Sequence, residues 1–306
     1  MAKLKVLMVQ TSNSGVAYWR LYNFWKAMHR RHLADCRVLW WQKDLKDVHH
    51  WQTEIADPMY MARMTAEMNA YARESDVVVF QSLHTEIALS ALYALKDAFP
   101  RIPIASESDD DITDTPNYNP AFMGYRPGGM FLGRQLAQFK HSDAMIVSTP
   151  YLREVYEDYN PHIYAIPNSI DNELWGKVKK RGKPGVRIGW AGGASHDDDL
   201  RILEPVIPEI LSRHPEATFV FIHGIPQFLK NIERVECVRK FARIDKYHQH
   251  MADQGIDIGL APLLDNKFNR AKSNLRWLEM AALGLPTVAS RVGHIAQTIS
   301  DGIDGL

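Results

Sequence analysis

The chain has 306 residues, 46% of them hydrophobic, with 36 basic and 36 acidic side chains and therefore no formal net charge. This length and apolar content suffice for two domains with separate cores, and the charge balance gives no support to a strongly polyanionic partner such as nucleic acid. Cys36 and Cys237 are too few for a disulfide framework and fit a reducing compartment. The sequence has no signal peptide and no stretch approaching 18 apolar residues, so it predicts a soluble, cytoplasmic protein.

The amino-terminal half alternates short apolar runs with longer amphipathic segments, a pattern typical of parallel strands joined by helices. Strands are predicted at Leu4–Gln10, Cys36–Trp40, Asp76–Gln81, Ile102–Ser106, Ala144–Ser148 and His162–Ile166. Helices are predicted near Tyr18–Arg31, Pro58–Glu74, Thr85–Phe99 and Pro150–Tyr159. This alternation predicts an α/β fold.

The carboxy-terminal half restarts the same alternation after a break in composition. Its strands are predicted at Val186–Trp190, Thr218–His223, a position near Val235, Ile256–Ala261 and Thr287–Ser290. The basic stretch Gly176–Gly185, punctuated by glycine and proline, has the composition of a linker. We therefore expect an N-terminal domain over residues 1–170, a linker over 171–185 and a C-terminal domain over 186–306.

Chemistry is expected in the loops that follow the strands, because open α/β sheets bind ligands outside the carboxyl ends of their strands. The first of these loops, Thr11–Gly15, is rich in small residues and can either lie against a ligand or cap the next helix. His84 follows the third strand. It is either a polar group directed at a substrate or a hydrogen-bonding residue at the start of the next helix.

The loop after the fourth strand is strongly acidic. It places five carboxylates within eight residues, namely Glu107, Asp109, Asp110, Asp111 and Asp114. Their mutual repulsion is unfavourable unless the groups have a purpose. Three purposes are open: a carboxylate that orients or deprotonates an acceptor hydroxyl, a divalent-metal site, or capping of a helix by Asp109–Asp111.

The second half opens with a glycine-containing loop, Gly189–His196, that does not match the dinucleotide fingerprint GxGxxG. Gly192 and Gly193 would allow a phosphate to approach the backbone closely. The aspartates Asp197–Asp199 are predicted to cap the following helix, where they would oppose an anion at its start.

The segment Phe268–Ser290 contains a helix with two predicted N-caps, Asn269 and Ser273, and a helix start presents free backbone N–H groups to an anion. Lys272 and Glu279 are seven residues apart, so on one helix they would share a face about 10 Å apart along the axis. One could hold phosphate and the other ribose; the alternative is a structural helix whose glutamate is merely solvated.

The end of this segment is predicted to be a helix stop followed by a strand. Gly284 and Pro286 end the helix, and Pro286–Ser290 forms a short buried strand. The pattern Glu279, Ala282, Gly284, Pro286 and Val288-Ala289-Ser290 resembles the carboxy-terminal signature of retaining family-four glycosyltransferases (glycosyl transferases group 1), which have the GT-B fold. Pro167–Asp171 is similar to the Pro-Asn-Gly-Val-Asp segment at the interdomain crossover of that family.

The resemblance implies an α/β protein of two Rossmann-like domains facing a cleft, with a short C-terminal part. The implied activity is transfer of a hexosyl group from a nucleotide diphosphate sugar to an acceptor hydroxyl, with retention and with neither a protein-bound metal nor another cofactor. The acceptor class stays open among a glycan, a lipid-linked sugar, a small molecule and a modified nucleobase.

Site residues also follow from the resemblance. On the acceptor side Asp109, Asp110 or His84 would polarise the acceptor hydroxyl. The donor would be bound by Gly15, Gly192, Gly193, His196, Lys272, Ser273, Asn274 and Glu279. Within that set, Lys272 and the helix start would hold the diphosphate, and Glu279 would contact the ribose.

The chain also departs from the family pattern. Ala271 stands where the family commonly has a second glutamate, and Trp190 and His196 stand near positions where it often has an arginine and a lysine. Related enzymes continue for several helices beyond a segment like the last one here, so we expect a mobile cleft or a bracing partner, which includes a homo-oligomer. Two other functions remain open: a sugar-nucleotide epimerase or hydrolase of the same fold, and a degenerate, non-catalytic nucleotide-sugar-binding protein.

Overall fold

The computed structural model of the chain describes residues 3–10, 15–40, 58–239, 243 and 246–306. It divides into two compact units, each with its own sheet and core. The first unit comprises Met1–Thr113 and Met123–Pro167, and the second comprises Asp114–Phe122 and Asn168–Leu306. The segment Asp114–Phe122 thus packs with the second unit, although the sequence analysis placed it in the first domain.

The first unit contains a parallel sheet of six strands. They are β1 (Leu4–Gln10), β2 (Ala34–Trp40), β3 (Val77–Phe80), β4 (Ile104–Ser108), β5 (Ala144–Val147) and β6 (Ile163–Ala165). The strand order is β2-β1-β3-β4-β5-β6, and each neighbouring pair is parallel. Every strand predicted for this half forms, with both ends within two residues of the predicted bounds. The order reverses between β1 and β3, which is where such a sheet opens a crevice at its carboxyl edge.

Helices connect these strands. They are α1 (Gly15–Ala17), a π-helical turn (Tyr18–Tyr22), α2 (Asn23–Arg30), α3 (Pro58–Arg73), α4 (Glu86–Ala98), a 3₁₀ turn (Ile112–Asp114), α5 (Phe122–Tyr125), α6 (Met130–His141) and α7 (Pro150–Val155). The four predicted helices are present. Helix α6 was not predicted, because two residues of its buried face, Gln135 and Gln138, are polar and weaken the apolar periodicity.

Both faces of the first sheet are buried. Leu7, Phe80 and Leu92 belong to the core on one face, which includes residues of α3 and α4. Val6 and Val79 belong to the core on the other face. A parallel sheet buried on both faces needs apolar residues at successive positions, which is what made its strands recognisable in the sequence.

The second unit contains a parallel sheet of five strands. They are β7 (Val186–Ala191), β8 (Ala217–Ile222), β9 (Val235–Val238), β10 (Ile258–Ala261) and β11 (Thr287–Ala289), in the order β11-β10-β7-β8-β9. All five predicted strands form. Counted within this unit the order is 3-2-1-4-5, the Rossmann arrangement, and it reverses between β7 and β10. A ligand crevice is therefore expected where these two strands end.

The helical segments of the second unit are short. They are α8 (Asn172–Trp175), 3₁₀ turns at Ala194–His196, Asp199–Leu203 and Gln227–Leu229, and the helices α9 (Val206–Arg213), α10 (Tyr247–Ala252), α11 (Lys267–Arg270), α12 (Leu275–Ala282) and α13 (Gly293–Thr298). Residues of the predicted linker pack on this unit, since Gln249 on α10 donates to the carbonyl of Lys179 at 2.9 Å and accepts from its N–H at 3.2 Å.

Helix α12 ends as the sequence predicts. Gly284 has a φ of +62°, its N–H donates to the Ala281 carbonyl at 2.8 Å, and the Leu285 N–H donates to the Met280 carbonyl at 3.0 Å. These two bonds form a Schellman motif, in which the left-handed residue favours glycine. The stop brings the chain into β11.

Two further sequence features can be compared with the structure. In the part of the chain that is described, no helix is long and apolar enough to cross a membrane. Cys36 and Cys237 are free thiols. Burial raises the pKa of the Cys36 thiol to about 11.

Candidate functional site

A ligand crevice is expected at the carboxyl end of β7, where the strand order reverses. A Cβ atom on Gly192 would lie 2.4 Å from the Trp190 ring and 3.1 Å from Nη2 of Arg276, so the space beside Gly192 is already filled, and its N–H donates to the Ile222 carbonyl at 3.3 Å. A Cβ on Gly193 would meet open space. Gly193 is therefore the glycine of this loop whose backbone a ligand can approach closely.

Glu279 lies opposite this loop on α12, and it is only 2% exposed. Its Oε2 accepts a hydrogen bond from Nη1 of Arg276 at 2.8 Å, and its carboxyl also bonds the hydroxyl of Tyr247. Burial raises the pKa of the Glu279 carboxyl to about 7, although Arg276 and Tyr247 act to lower it. The alternative of a merely solvated glutamate is wrong.

The start of α12 differs from the prediction. Asn266, not Asn269, caps the short helix α11 by accepting from the Asn269 N–H at 2.8 Å. The next helix begins at Leu275 with Asn274 in the N-cap position, where its side chain makes no capping bond. Ser273 lies one residue earlier, and its hydroxyl accepts from the Leu275 N–H at 3.4 Å. Local turn geometry divides the predicted single helix into two.

Lys272 therefore lies in the turn between α11 and α12, and the prediction that it shares a helix face with Glu279 is wrong. Its Nζ is 4.3 Å from the centroid of the Phe268 ring. The charge of Lys272 nevertheless acts on His196, whose pKa it lowers in addition to the larger effect of burial. The role of Lys272 in binding a donor stays a prediction.

His196 is fixed by Asp199, whose Oδ2 lies 2.8 Å from its Nδ1. Burial lowers the pKa of His196, while the bond to Asp199 acts in the opposite direction. The second oxygen of Asp199 accepts from the Leu264 N–H at 2.9 Å and from Nδ2 of Asn269 at 2.7 Å. Asp199 thus joins three segments of the site rather than capping a helix, which corrects the prediction for this residue.

The turn Pro167–Asp171 after β6 contacts the residue before the N-cap of α12. Nδ2 of Asn168 donates to the hydroxyl of Ser273 at 2.8 Å, so the Pro167–Asp171 segment helps to position the start of α12. Tyr118, from the segment that joins the second unit, accepts at 3.3 Å from Nδ2 of Asn266. Burial raises the pKa of the Tyr118 hydroxyl, although the charge of Lys272 acts to lower it.

Three residues near Glu279 were not predicted: Arg276, Tyr247 and His223. Arg276 could have been found, because it stands three residues before Glu279, the spacing of a helical ion pair. Tyr247 and His223 carry no local signal. His223 follows β8 with a φ of +78°, and its ring centroid lies 5.7 Å from that of Tyr247. Burial lowers the pKa of His223 to about 4, with smaller contributions from His250 and Arg276.

In the first unit, His84 begins a chain of buried hydrogen bonds. Its Nε2 lies 2.7 Å from the hydroxyl of Tyr125, which donates to Gln135 at 2.7 Å, and Gln135 donates to Ser82 at 2.6 Å. Burial lowers the pKa of His84 to about 4, so the ring is neutral near pH 7. The cap of α4 is Thr85, which accepts from the Ala88 N–H, so His84 is not the capping residue.

The acidic loop after β4 separates into different environments. Glu107 is buried and paired with Arg20 at 2.6 Å, and burial raises its pKa. Asp111 accepts from the N–H and the hydroxyl of Thr113, at 2.9 and 2.6 Å, and so stabilises the turn as a cap. Asp114 is exposed. Among the described residues no group of three or more His, Cys, Asp or Glu side chains is arranged to hold a metal ion.

Asp109 and Asp110 are the remaining two carboxylates, and both are half-buried. Their backbone carbonyls are held, since Ser148 donates to that of Asp109 at 3.2 Å and Tyr156 to that of Asp110 at 2.6 Å. Both charges contribute to raising the pKa of the Tyr125 hydroxyl, after burial. The structure therefore brings both aspartates near the hydrogen-bond chain that starts at His84.

The remaining predicted donor residue, Gly15, begins α1, and a Cβ added to it would meet no atom. The rest of its loop, residues 11–14, lies outside the described residues. A cavity of about 260 Å³ in the second unit is lined by Lys180, Ile256 and Leu283 among others. These residues lie at the amino ends of β10 and β11, on the edge of the sheet opposite Gly192.

No protein-family model matches the chain, and no curated protein matches its sequence. Solved structures match its fold over nearly its whole length. Sucrose-phosphate synthase from Thermosynechococcus elongatus gives a TM-score of 0.67 at 13% identity, covering 99% of this chain and 85% of that one. An alpha-glucosyltransferase in complex with UDP and a 13-mer DNA gives 0.60 at 11% identity, covering 95% of this chain and 80% of that one.

A putative UDP-N-acetylglucosamine 2-epimerase from Listeria monocytogenes also matches, with a TM-score of 0.55 at 14% identity, covering 94% of this chain and 79% of that one. These neighbours are GT-B enzymes, and the two parallel sheets described above are consistent with the two Rossmann-like domains of that fold. The predicted fold class is confirmed. At these identities the likeness shows the fold alone.

Proposed function

We propose that the chain transfers a hexosyl group from a nucleotide diphosphate sugar to an acceptor hydroxyl, with retention of configuration. One observation carries this proposal: Glu279 is buried with Arg276 and Tyr247, and Arg276 packs beside Gly192, where the strand order of a Rossmann sheet reverses. A preformed polar cluster at that position is where a nucleotide ligand of this fold binds. The GT-B neighbours support the same class of reaction.

On the donor side, Glu279 contacts the ribose hydroxyls. Lys272 and the N–H groups at the start of α12 hold the diphosphate, with Ser273 and Asn274 in the turn that exposes them. When the bond between the anomeric carbon and the β-phosphate oxygen breaks, negative charge grows on the leaving nucleoside diphosphate. The lysine and the helix start stabilise that charge. The new bond joins the anomeric carbon to the acceptor oxygen.

On the acceptor side, Asp109 or Asp110 orients the acceptor hydroxyl and takes its proton. His84 is neutral near pH 7 and bonded to Tyr125, so it contributes orientation more readily than positive charge. Two half-buried carboxylates beside a fixed hydrogen-bond chain suit general base catalysis. No step in this scheme requires a metal or another cofactor.

A sugar-nucleotide epimerase is a second candidate, and the fold match to a putative UDP-N-acetylglucosamine 2-epimerase favours it. It would use the same donor site, but the sugar itself would react. Incubation with the donor alone separates the two functions by nuclear magnetic resonance of the products. An epimerase changes a sugar carbon without an acceptor, whereas a transferase needs the acceptor to form a glycoside.

The proposal is tested by a thermal-shift screen of UDP-, GDP-, ADP- and dTDP-sugars, followed by turnover of every donor that binds. A donor at 100 times its dissociation constant stabilises the folded state by about 2.7 kcal/mol, which is easily detected. Glu279→Gln should lose most of the shift. Glu209→Gln is the matched control, because Glu209 is exposed on α9, away from the crevice. A parent protein that no nucleotide sugar stabilises would contradict the proposal.

A further inference from the structure

Arg276 has two neighbours of different kinds. Its Nη1 donates to the buried carboxyl of Glu279 at 2.8 Å. Its Nη2 lies 3.1 Å from the point that a Cβ atom on Gly192 would occupy. The guanidinium therefore lies between the carboxylate on α12 and Gly192 in the loop after β7.

The charge of Arg276 acts across the same crevice. Its Cζ lies 5.8 Å from the centroid of the Trp190 ring, at the end of β7. Together with Lys272 it lowers the pKa of His196, in addition to the larger effect of burial. The loop residues Gly189–Ala194 include no lysine or arginine. The positive charges that act near this loop include Arg276 on α12 and Lys272 in the turn before it.

Neutralising Glu279 does not explain the whole arrangement. The Tyr247 hydroxyl already bonds the Glu279 carboxyl, and burial favours the protonated form of that acid. The Arg276 side chain is 22% exposed whereas that of Glu279 is 3% exposed, so part of the guanidinium remains accessible to a ligand. A guanidinium has five N–H donors in a planar fork, which matches two oxygens of a phosphate.

We propose that Arg276 is a phosphate-binding residue of the donor site, with its guanidinium bonding an oxygen of a nucleoside diphosphate that lies against Gly193. This inference rests on the proposed function, because it assigns one contact within the same donor site. In this arrangement Glu279 still contacts the ribose, as in the proposed function. The diphosphate would be held between the guanidinium from α12 and Gly193, whose backbone borders open space.

The inference is tested by titration calorimetry of the parent and Arg276→Gln with UDP, GDP, ADP and dTDP, and with the matching nucleosides. A contact between Arg276 and phosphate predicts that the variant loses affinity for the diphosphate but not for the nucleoside. The diphosphate should bind roughly ten- to a hundredfold more weakly to the variant, as expected for one charge-assisted hydrogen bond. The nucleoside, which lacks the phosphates, should keep its affinity within about twofold.

Arg213→Gln is the matched control. It removes the same charge from the second unit, at the end of α9 before β8 and hence at the opposite edge of the sheet, and Arg213 is 72% exposed in a pair with Glu209 at 2.7 Å. Both affinities should equal those of the parent. If Arg276→Gln does not fold, Arg276→Lys replaces it, because lysine keeps the charge near Glu279 but has no planar fork.

Each outcome decides something different. If the parent binds none of the four diphosphates, the proposed function fails and the inference fails with it. If the parent binds one of them and both Arg276 variants keep its affinity within about twofold, only the inference about Arg276 is overturned. An equal loss for nucleoside and diphosphate would also overturn it, because the arginine would then act only by positioning Glu279.

Discussion

Glu279 is a carboxyl group on which burial and its partners act in opposite directions. Burial raises its pKa to about 7, and Arg276 and Tyr247 lower it without cancelling the effect of burial. Between pH 4.5, the ordinary pKa of this carboxyl, and about pH 7, the group is therefore protonated in the folded state but mostly ionised in the unfolded state. The stability that Glu279 contributes is fully present below about pH 4.5 and is lost as pH rises through about 7.

Glu279→Gln should remove this pH dependence, because an amide does not titrate. The free energy of unfolding of the parent, relative to that of the variant, should fall between about pH 4.5 and about pH 8. One pKa unit corresponds to about 1.4 kcal/mol, so a pKa raised from 4.5 to about 7 gives a fall of roughly 3–4 kcal/mol. Urea unfolding of both proteins across this range measures it. Parallel curves would show that the carboxyl is already ionised at acid pH.

The two half-buried aspartates of the first unit allow a second prediction at this scale. Asp109→Asn or Asp110→Asn should lower the rate of sugar transfer by roughly 10²-fold or more, the size of a general-base effect. Donor affinity should change by less than about twofold, because both residues lie in the first unit and the proposed donor site lies in the second. Steady-state kinetics with calorimetry separates the two quantities.

Asp114→Asn serves as the control for that comparison. Asp114 belongs to the same acidic run but is exposed, so its substitution should change neither rate nor affinity. Donor affinity that falls in parallel with the rate in the Asp109 or Asp110 variants would move these residues to the donor side.

At the scale of elements, two glycines with different backbone conformations should respond oppositely to alanine. Gly284 ends α12 with a φ of +62°, where a side chain is strained although space is available. Gly133 lies inside α6 without a positive φ, and a Cβ there meets no atom within 4 Å. Substitution by alanine thus adds the same methyl group at a strained backbone position, Gly284, and at an unstrained one, Gly133.

Gly284→Ala should lower the free energy of unfolding by roughly 1–2 kcal/mol, the cost of a left-handed residue with a side chain. Gly133→Ala should raise it by roughly 0.5–1 kcal/mol, because alanine restricts the unfolded chain and favours the helix. Denaturant unfolding measures both. A destabilising Gly133→Ala would mean that α6 tolerates no side chain at that position.

Buried polar groups also explain how elements are fixed to one another within a unit. Arg20, on the π-helical turn, pairs with Glu107 at the end of β4 and donates to the Ile166 carbonyl at 2.8 Å. Asp199 acts similarly in the second unit by bonding His196, Leu264 and Asn269. Each group joins segments that are distant in sequence, and so orients the loops at the carboxyl edge of its sheet.

For the whole molecule, the separate cores of the two units predict separate responses to a ligand. A nucleoside diphosphate bound at the donor site should slow amide hydrogen exchange most strongly in the second unit, above all in α12 and the loop after β7. Strands β1–β6 should keep rates close to those of the free protein. Exchange measured by mass spectrometry, with and without ligand, checks this expectation. Stronger protection in the first unit would place the nucleotide there instead.

The strands were predictable because parallel strands buried on both faces are continuous apolar runs, and such a run is a local property of the chain. The stop at Gly284 was predictable for a similar reason, since the left-handed residue needs only its own backbone. Helix α6 was missed because Gln135 and Gln138 are buried in hydrogen bonds with distant partners. A periodicity argument counts such residues as exposed.

The site was predicted less completely than the fold. The roles of Glu279 and the glycine loop in ligand binding stay predictions, and the pair between Arg276 and Glu279 was readable from helical spacing. The prediction that Lys272 and Glu279 share a helix face was wrong, because the chain turns between α11 and α12. Asp199 was assigned to a cap, whereas its hydrogen bonds run to residues about 65 and 70 positions later.

The sequence by itself determined the α/β class, the strands and the segment that carries Glu279, since each depends on side-chain patterns within a few residues. Only the tertiary structure decided the environment of that glutamate. Tyr247 comes from another helix and Gly192, beside Arg276, from the loop after β7, and no local pattern links them to Glu279. Burial sets the pKa of Glu279, and burial is a property of the assembled unit because it depends on which distant segments exclude water from the group.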